Sequence, residues 1–417
     1  MGEDMGENEY RLPLLKVGCA ALVEDKEKAW FLRLKTNELC EIDRKNHEAK
    51  ILKRFTDAPM IEDFLYLPIE KVGDILILAP GTASHLVFYD LSNDMCEYIE
   101  LAPIQDDRKL RYTGVCNFLK SYVQGNSVYL FGYEYPAIVK IDMATKEIAY
   151  LDAWVMEVEQ RIKKVYASMG YVSDYAIVGN FVWMLCECVN AVLCLDLRTD
   201  KIEIIDICSD LVIQCGICFD GNFWVTGNNE HANKLLKYNN QFVLEKEIEI
   251  YSVKDGGEEY FLPLEEGYWA TYPVLDLGEK LFLFSVYPSH VYEFDKASEQ
   301  VRIQVAFEKL MEVRGEKLYD LKILAPRKKD NIIYFVTGND FLWNEYDFIH
   351  DMVTQYEVRT ERDEELLQGY SKFLGGKMIA EDSFVWNLGY KMTLSRFLRH
   401  AKYALLEETD NMGKTIV

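Results

Sequence analysis

Ten cysteines and six histidines are the first residues in this chain whose types could do chemistry. Cys215-Gly216-Ile217-Cys218 is a C-x-x-C, and Cys186-x-Cys188 lies one repeat unit earlier. A structural zinc site needs four ligands closed into a tetrahedron, usually from turns. Both pairs instead fall in apolar, strand-like runs, where residues 215 and 218 point to opposite faces. A redox pair needs a helix N-terminus, and none follows. The cysteines therefore read as reduced, buried small hydrophobes, and no metal site is expected.

Acidic residues also cluster, as Glu258-Glu259 with Glu265-Glu266 and as Glu361-Arg362-Asp363-Glu364-Glu365. Paired carboxylates suit glycoside cleavage or cation binding. In a chain with 69 acidic residues, however, such pairs arise by chance throughout. The spacing of a calcium loop is missing. No G-x-S-x-G, Walker loop, Gly-rich dinucleotide fingerprint or H-E-x-x-H occurs, so no cofactor is expected. Ser84-His85 and Ser289-His290 form an echo, each five residues before an aspartate that ends a strand. It reads either as two similar groups held at one level or as a trace of repeat ancestry.

The elements that must position these residues come from a recurring unit. Its clearest copy is NFVWMLCECVNAVLCLDLRTDKIEIIDI, from Asn180 to Ile207. Two apolar strands end at Asp196, the run LRTDK makes a tight turn, and an alternating strand follows. Asp43, Asp90, Asp142 and Asp295 occupy the same place in other copies. Such an aspartate accepts a backbone N–H two residues on and nucleates the turn between antiparallel strands. Two units look degenerate: one has Asn239-Asn240 at the turn, and the other, near 354–367, shows no anchor. An apolar strand precedes each unit, giving four strands per repeat at a period of about 40–50 residues stretched by loops. Aromatic residues, with 27 Tyr and 21 Phe, also favour strands.

The expected fold is therefore all-β. It is a single β-propeller of about seven four-stranded blades, near 15–53, 70–102, 114–151, 175–207, 212–250, 271–306 and 318–368. An amphipathic helix is expected over 152–170, from Val155, Val158, Ile162, Val165 and Met169. A second helix is expected in a C-terminal extension, 370–417. Residues of the N-terminal EYRLPLL are expected to close the ring as an outer strand on the last blade, removing exposed edges. The apolar strand, "YDLxT"-like turn and alternating strand resemble generic bacterial propeller blades of the Kelch-like and WD40-like kind. The Gly-His and Trp-Asp pairs of WD40 blades and the doubled Gly of Kelch blades are missing. The resemblance thus implies an architecture and carries no functional residues.

The formal net charge is −23, which disfavours nucleic acid and anionic membrane surfaces as partners. It suits solubility or attraction of a basic partner. No secretory signal and no run of about 18 apolar residues is seen, so a cytoplasmic protein is expected.

In a propeller, the first-to-second and third-to-fourth turns lie on one face. The second-to-third connections and the links between blades lie on the other. The first set is short and polar. The second holds the long connections Thr56–Pro68, Ala102–Thr113, Asp152–Asp174, Tyr251–Thr271 and Gly338–Asp351. Long loops on a rigid scaffold are where binding lives, and Tyr and Trp are its usual anchors. The expected binding residues are His85, Tyr133, Tyr135, Trp154, His231, Trp269, Tyr287, His290 and Trp343; the competing reading makes the aromatics small cores beneath long loops. Two functions fit. One is a non-enzymatic scaffold gripping a protein or peptide with that face. The other is a hydrolase or lyase acting on a carbohydrate or small molecule in its central pocket, with His85, His290 and loop carboxylates as acid and base.

Overall fold

The computed structural model describes residues 19–33, 37–46, 48–55, 65–102, 116–162, 170–207, 212–229, 232–250, 273–284, 291–304, 306–307, 323–337 and 342–357. It is a seven-bladed β-propeller. Seven four-stranded antiparallel sheets each take their strands consecutively from the chain. Blades 1 to 7 cover 19–54, 66–100, 118–151, 172–206, 212–250, 274–303 and 323–357. The first strands of successive blades pack side by side from blade 1 through blade 6, and the first strand of blade 7 lies beside that of blade 1.

The core is divided in the same way. Each junction between neighbouring blades has its own apolar cluster. Leu65, Tyr66, Ile69 and Leu76 of blade 2 meet Val23, Trp30 and Leu39 of blade 1. Met184, Leu193 and Leu195 of blade 4 meet Tyr129, Phe131 and Ile138 of blade 3. Tyr334 and Trp343 of blade 7 meet Leu22, Phe31, Cys40 and Ile42 of blade 1. A near-continuous apolar second strand, such as Phe181–Cys186, is what a sheet covered on both faces requires. The outermost strands alternate instead, as in the exposed and half-buried pattern of Met95–Glu100.

The aspartate anchors act as their chemistry predicts. The Asp142 carboxylate accepts the N–H groups of Ala144 (2.8 Å) and Thr145 (3.1 Å). Asp295 accepts those of Ala297 (3.1 Å) and Ser298 (2.7 Å). The seventh blade has its own anchor, which the sequence reading missed. Asp347 accepts from Ile349 (3.0 Å) and His350 (3.1 Å). In blade 5 Asn239 takes the role, accepting from Gln241 (2.9 Å) and Val243 (3.0 Å). The residue four places beyond the anchor is left-handed at Asp94, Lys146, Asp200, Glu299 and Asp351. Three of these reach the preceding blade: Lys146 pairs with Glu97, Asp200 with Lys140 and Glu299 with Lys246.

Several expectations are corrected. Within the expected long connection 338–351, Leu342–Asp347 is instead the third strand of blade 7; Trp343 and Tyr346 sit within it, 1% exposed. Blade 2 begins at Tyr66 and blade 4 at Val172, several residues before their expected starts. The inserted helix is described over Val155–Arg161, with Val155 and Val158 buried between blades 3 and 4; residues 163–169 lie outside the described residues. So do the expected C-terminal helix and the expected closing strand at 9–15. Blade 7 is a four-stranded sheet of residues 323–357 alone among the described residues.

Two outcomes follow from this packing. Trp343→Ala should lower unfolding stability by about 3–5 kcal/mol in a denaturant titration, because it empties the junction of blades 7 and 1. Met352→Ala, at a side chain 57% exposed, should stay within about 0.5 kcal/mol. The second outcome concerns pH. Backbone N–H donors hold the Asp43, Asp142 and Asp295 carboxyls below the ordinary value. Side-chain donors from Ser92, Arg198 and His350 do so first for Asp90, Asp196 and Asp347. A lowered folded pKa contributes stability above the unfolded value, and this is lost as pH falls through the folded one. The melting temperature should therefore drop as pH goes below about 4, and Asp142→Asn should flatten that drop more than Thr199→Ala does.

Candidate functional site: the propeller axis and the long-connection face

The two faces differ as the topology requires. On one, the first-to-second turns of blades 2, 3 and 4 are pairs, Gly73-Asp74, Gly125-Asn126 and Gly179-Asn180. Their glycines have φ near 60°, a conformation that costs other residues energy. The other face carries the blade-to-blade connections, including the helix Val155–Arg161.

The axis is built by the seven first strands. In blades 1, 2, 3, 4, 5 and 7 the pairing of first and second strand slips midway, at Cys19/Leu22, Tyr66/Ile69, Phe118/Lys120, Val172/Tyr175, Ile213/Ile217 and Leu324/Arg327. A bulge of this kind re-aims side chains and frees backbone groups. The axial charges stand at or just past these slips. Asp174 lies within the slip of blade 4, facing the Lys120 ammonium at 3.0 Å. Its other oxygen accepts the N–H of Ile217, the first residue past the slip in blade 5, at 3.1 Å.

A second pair spans the ring. Arg327 of blade 7 reaches past blade 1 to the Glu70 carboxylate of blade 2, at 3.7 Å. The Ser121 hydroxyl of blade 3 donates to the same Glu70 oxygen at 2.5 Å. Tyr175 of blade 4 donates to the Ser121 carbonyl at 2.7 Å. Burial, with the nearby Glu70 carboxylate adding to it, pushes the Tyr175 hydroxyl well above the ordinary tyrosine value. Glu70, Asp174 and Ser121 are all less than a tenth exposed. Five blades thus contribute to one polar network. Its two carboxylates each have a cation and a neutral donor, and they bracket strands of neighbouring blades.

The residues expected to bind have other positions. Tyr133, Tyr135, Trp154 and Trp343 are core side chains, none more than 7% exposed. The Tyr133 ring fills the space above Gly170, where a Cβ would come within 2.4 Å of it. Tyr135 packs on Phe118 and donates to the Ala102 carbonyl at 2.8 Å. Trp154 meets Tyr171 edge-on and donates to the Leu151 carbonyl. Trp343 donates to Glu345 within its own strand. Their aromatic surface therefore holds connections and junctions in place. His85 is half-buried, with Nδ1 2.7 Å from the Ser84 hydroxyl and its ring edge-on to Tyr98 of the outermost strand. His231, Trp269, Tyr287 and His290 lie outside the described residues.

The network's own members were missed. The signal was a charged residue within an inner strand, as in LPIEKV, FLKSYV and SDYAIV, yet polar residues in strands are common at edges. Cys186 ends the second strand of blade 4, as its apolar run implies, and Cys188 lies in the 3-10 turn Glu187–Val189 that follows, with the two sulfurs 3.7 Å apart. No group of three or more His, Cys, Asp or Glu able to hold a metal occurs among the described residues.

No protein-family model matches the chain, and no curated protein does. Solved structures do match in shape. A catalytically inactive virginiamycin B lyase from Staphylococcus aureus, solved with quinupristin, aligns with a TM-score of 0.54 at 12% identity, over 78% of this chain and 93% of that one. YCF48 bound to D1 peptide aligns with a TM-score of 0.51 at 10% identity, over 82% of this chain and 94% of that one. At such identities the likeness is one of fold, and both comparisons agree on a propeller.

Burial pushes the Cys116 and Cys218 thiols well above the ordinary value and Cys194 up to about 11. Thiolate is the reactive form. In a thiol titration of the native protein at pH 8, Cys116, Cys194 and Cys218 should stay silent and react only after denaturant is added. Prompt native labelling at these positions, mapped by peptide mass, would refute their burial.

Proposed function

We propose that this protein is a non-enzymatic binding or scaffold propeller that engages a protein or peptide through its long-connection face, in a cytoplasmic, thiol-reducing setting. The observation that carries the reading is the axial network. Glu70 is engaged by Arg327 and Ser121, and Asp174 by Lys120 and the Ile217 N–H. A reaction centre needs an acid or base free to meet substrate, and these groups are committed to one another. His85 stands apart from them, beside Tyr98.

Three further points support the reading. The rigid sheets present long connections on one side only, the arrangement that binding loops favour. YCF48, of similar shape, was solved with a peptide. The net charge of −23 favours a basic segment on the partner and speeds its encounter at low salt.

The test is a paired substitution. Replacing residues 252–270 with a short Gly/Ser linker should weaken capture of a stoichiometric partner from host extract by about tenfold or more. Lys45→Glu, exposed on the opposite face, should leave capture unchanged. Equal capture by both variants would overturn the assignment of the face, provided circular dichroism shows both remain folded.

A further inference from the structure

The junction of blades 7 and 1 differs from the other six. Elsewhere the chain itself runs from one blade into the next; here it does not, because blade 1 holds the first described strand and blade 7 the last. Neither sheet borrows a strand from the other end of the chain among the described residues, since their orders are first to fourth in each. Among the described residues, side chains hold this junction. One contribution is the cluster of Leu22, Phe31, Cys40, Ile42, Tyr334 and Trp343. Another is Arg44, whose guanidinium stacks 4.6 Å over the Tyr334 ring and donates to its hydroxyl.

This junction also holds buried polar atoms that its packing leaves unpaired. Glu24 Oε2 and Arg44 Nε are buried without a partner. Glu24 lies close enough to Tyr334 to add to the rise that burial gives its hydroxyl, against the opposing Arg44. In the same blade, Asn37 Nδ2 and Glu38 Oε1 are buried and unpartnered too. A buried polar atom without a partner costs the folded state its full desolvation penalty and favours any opening that lets water in.

Blade 7 is hydrogen-bonded to its neighbour blade 6 through Lys328 with the Asp276 carbonyl and Tyr346 with Gln304, and across the axis Arg327 ties it to Glu70 of blade 2. Glu70 is itself fixed by Ser121 of blade 3. Arg327 therefore acts as a strap. If the junction parts, blade 7 remains attached to the opposite side of the axis through this pair and through its junction with blade 6, where Phe282, Phe307, Phe335 and Tyr346 pack.

We infer that the ring opens reversibly at the junction of blades 7 and 1, as one cooperative step, and that the Arg327–Glu70 pair across the axis restrains that opening. The opened ring exposes the axial charges along one side, giving a partner segment a route to them other than through the face.

Native-state hydrogen exchange on the full chain, read by peptide mass, tests this. Local openings exchange in cooperative units, each with its own protection. The inner strands Cys19–Glu24 and Ile323–Lys329 should share one protection level, below that of Phe118–Gln124 and Val172–Val178. Simple fraying of the outermost strand of blade 7 would instead unprotect Met352–Glu357 and leave Ile323–Lys329 protected, and that result would overturn the inference. Arg327→Met should speed exchange about tenfold in blades 1 and 7 while blades 3 and 4 change little. The swap Glu70→Arg with Arg327→Glu should restore much of the protection. If Arg327→Met speeds exchange equally in all blades, the pair is a general stabiliser and the strap is refuted. Arg44→Met gives an independent reading: it should speed the same two blades while leaving the axial pair in place.

Discussion

A four-stranded sheet with two apolar faces cannot cover either face by itself, and every other feature of this molecule follows from that constraint. Each blade must be covered by one neighbour on each side. The structure accordingly holds its apolar residues in clusters at the junctions rather than in one central core. A ring is the arrangement in which no blade is left with a bare face. It also leaves the middle of the ring to the edges of the first strands, where backbone and polar groups must be satisfied without apolar cover. The slips in strand pairing and the network of Glu70, Lys120, Ser121, Asp174 and Arg327 are the solution found there.

How much of this was legible in the sequence depends on how local its cause is. The Asp142 and Asp295 anchors could be read directly, because an aspartate accepting the next N–H groups is a matter of a few consecutive residues. Asn239 was visible as a weaker version of the same turn. Asp347 escaped notice because the strand before it, LWNEYD, carries Asn344 and Glu345 and lacks the apolar run that marks the other copies. Read as a loop, that strand makes Trp343 an apparent surface anchor; as a strand, it makes Trp343 a buried wall of the junction.

The aromatic residues of the long connections show a second limit. Tyr133, Tyr135 and Trp154 stand next to turn residues, which suggested exposure. Their rings fold down onto Gly170, Phe118 and Tyr171, because a connection crossing the end of a sheet must seal the apolar cluster beneath it. The axial network lay further out of reach. Its defining contact joins residues 70 and 327, and nothing in the composition of either strand specifies the other. Only the curvature of the ring brings them together.

The sheets contain one more lesson, in their order of assembly. Every described blade is made from four consecutive strands, from Cys19–Arg54 to Ile323–Glu357, with none shared between the two ends of the chain. The molecule is therefore modular in its coding as well as in its shape. A rearranged gene that began at blade 2 and finished with blade 1 would encode every sheet intact. A duplicated or deleted unit would likewise arrive or leave as a whole blade. The spread of blade numbers open to such a lineage is then set by how well the junction surfaces tolerate a wider or narrower ring, and not by any need to re-knit strands.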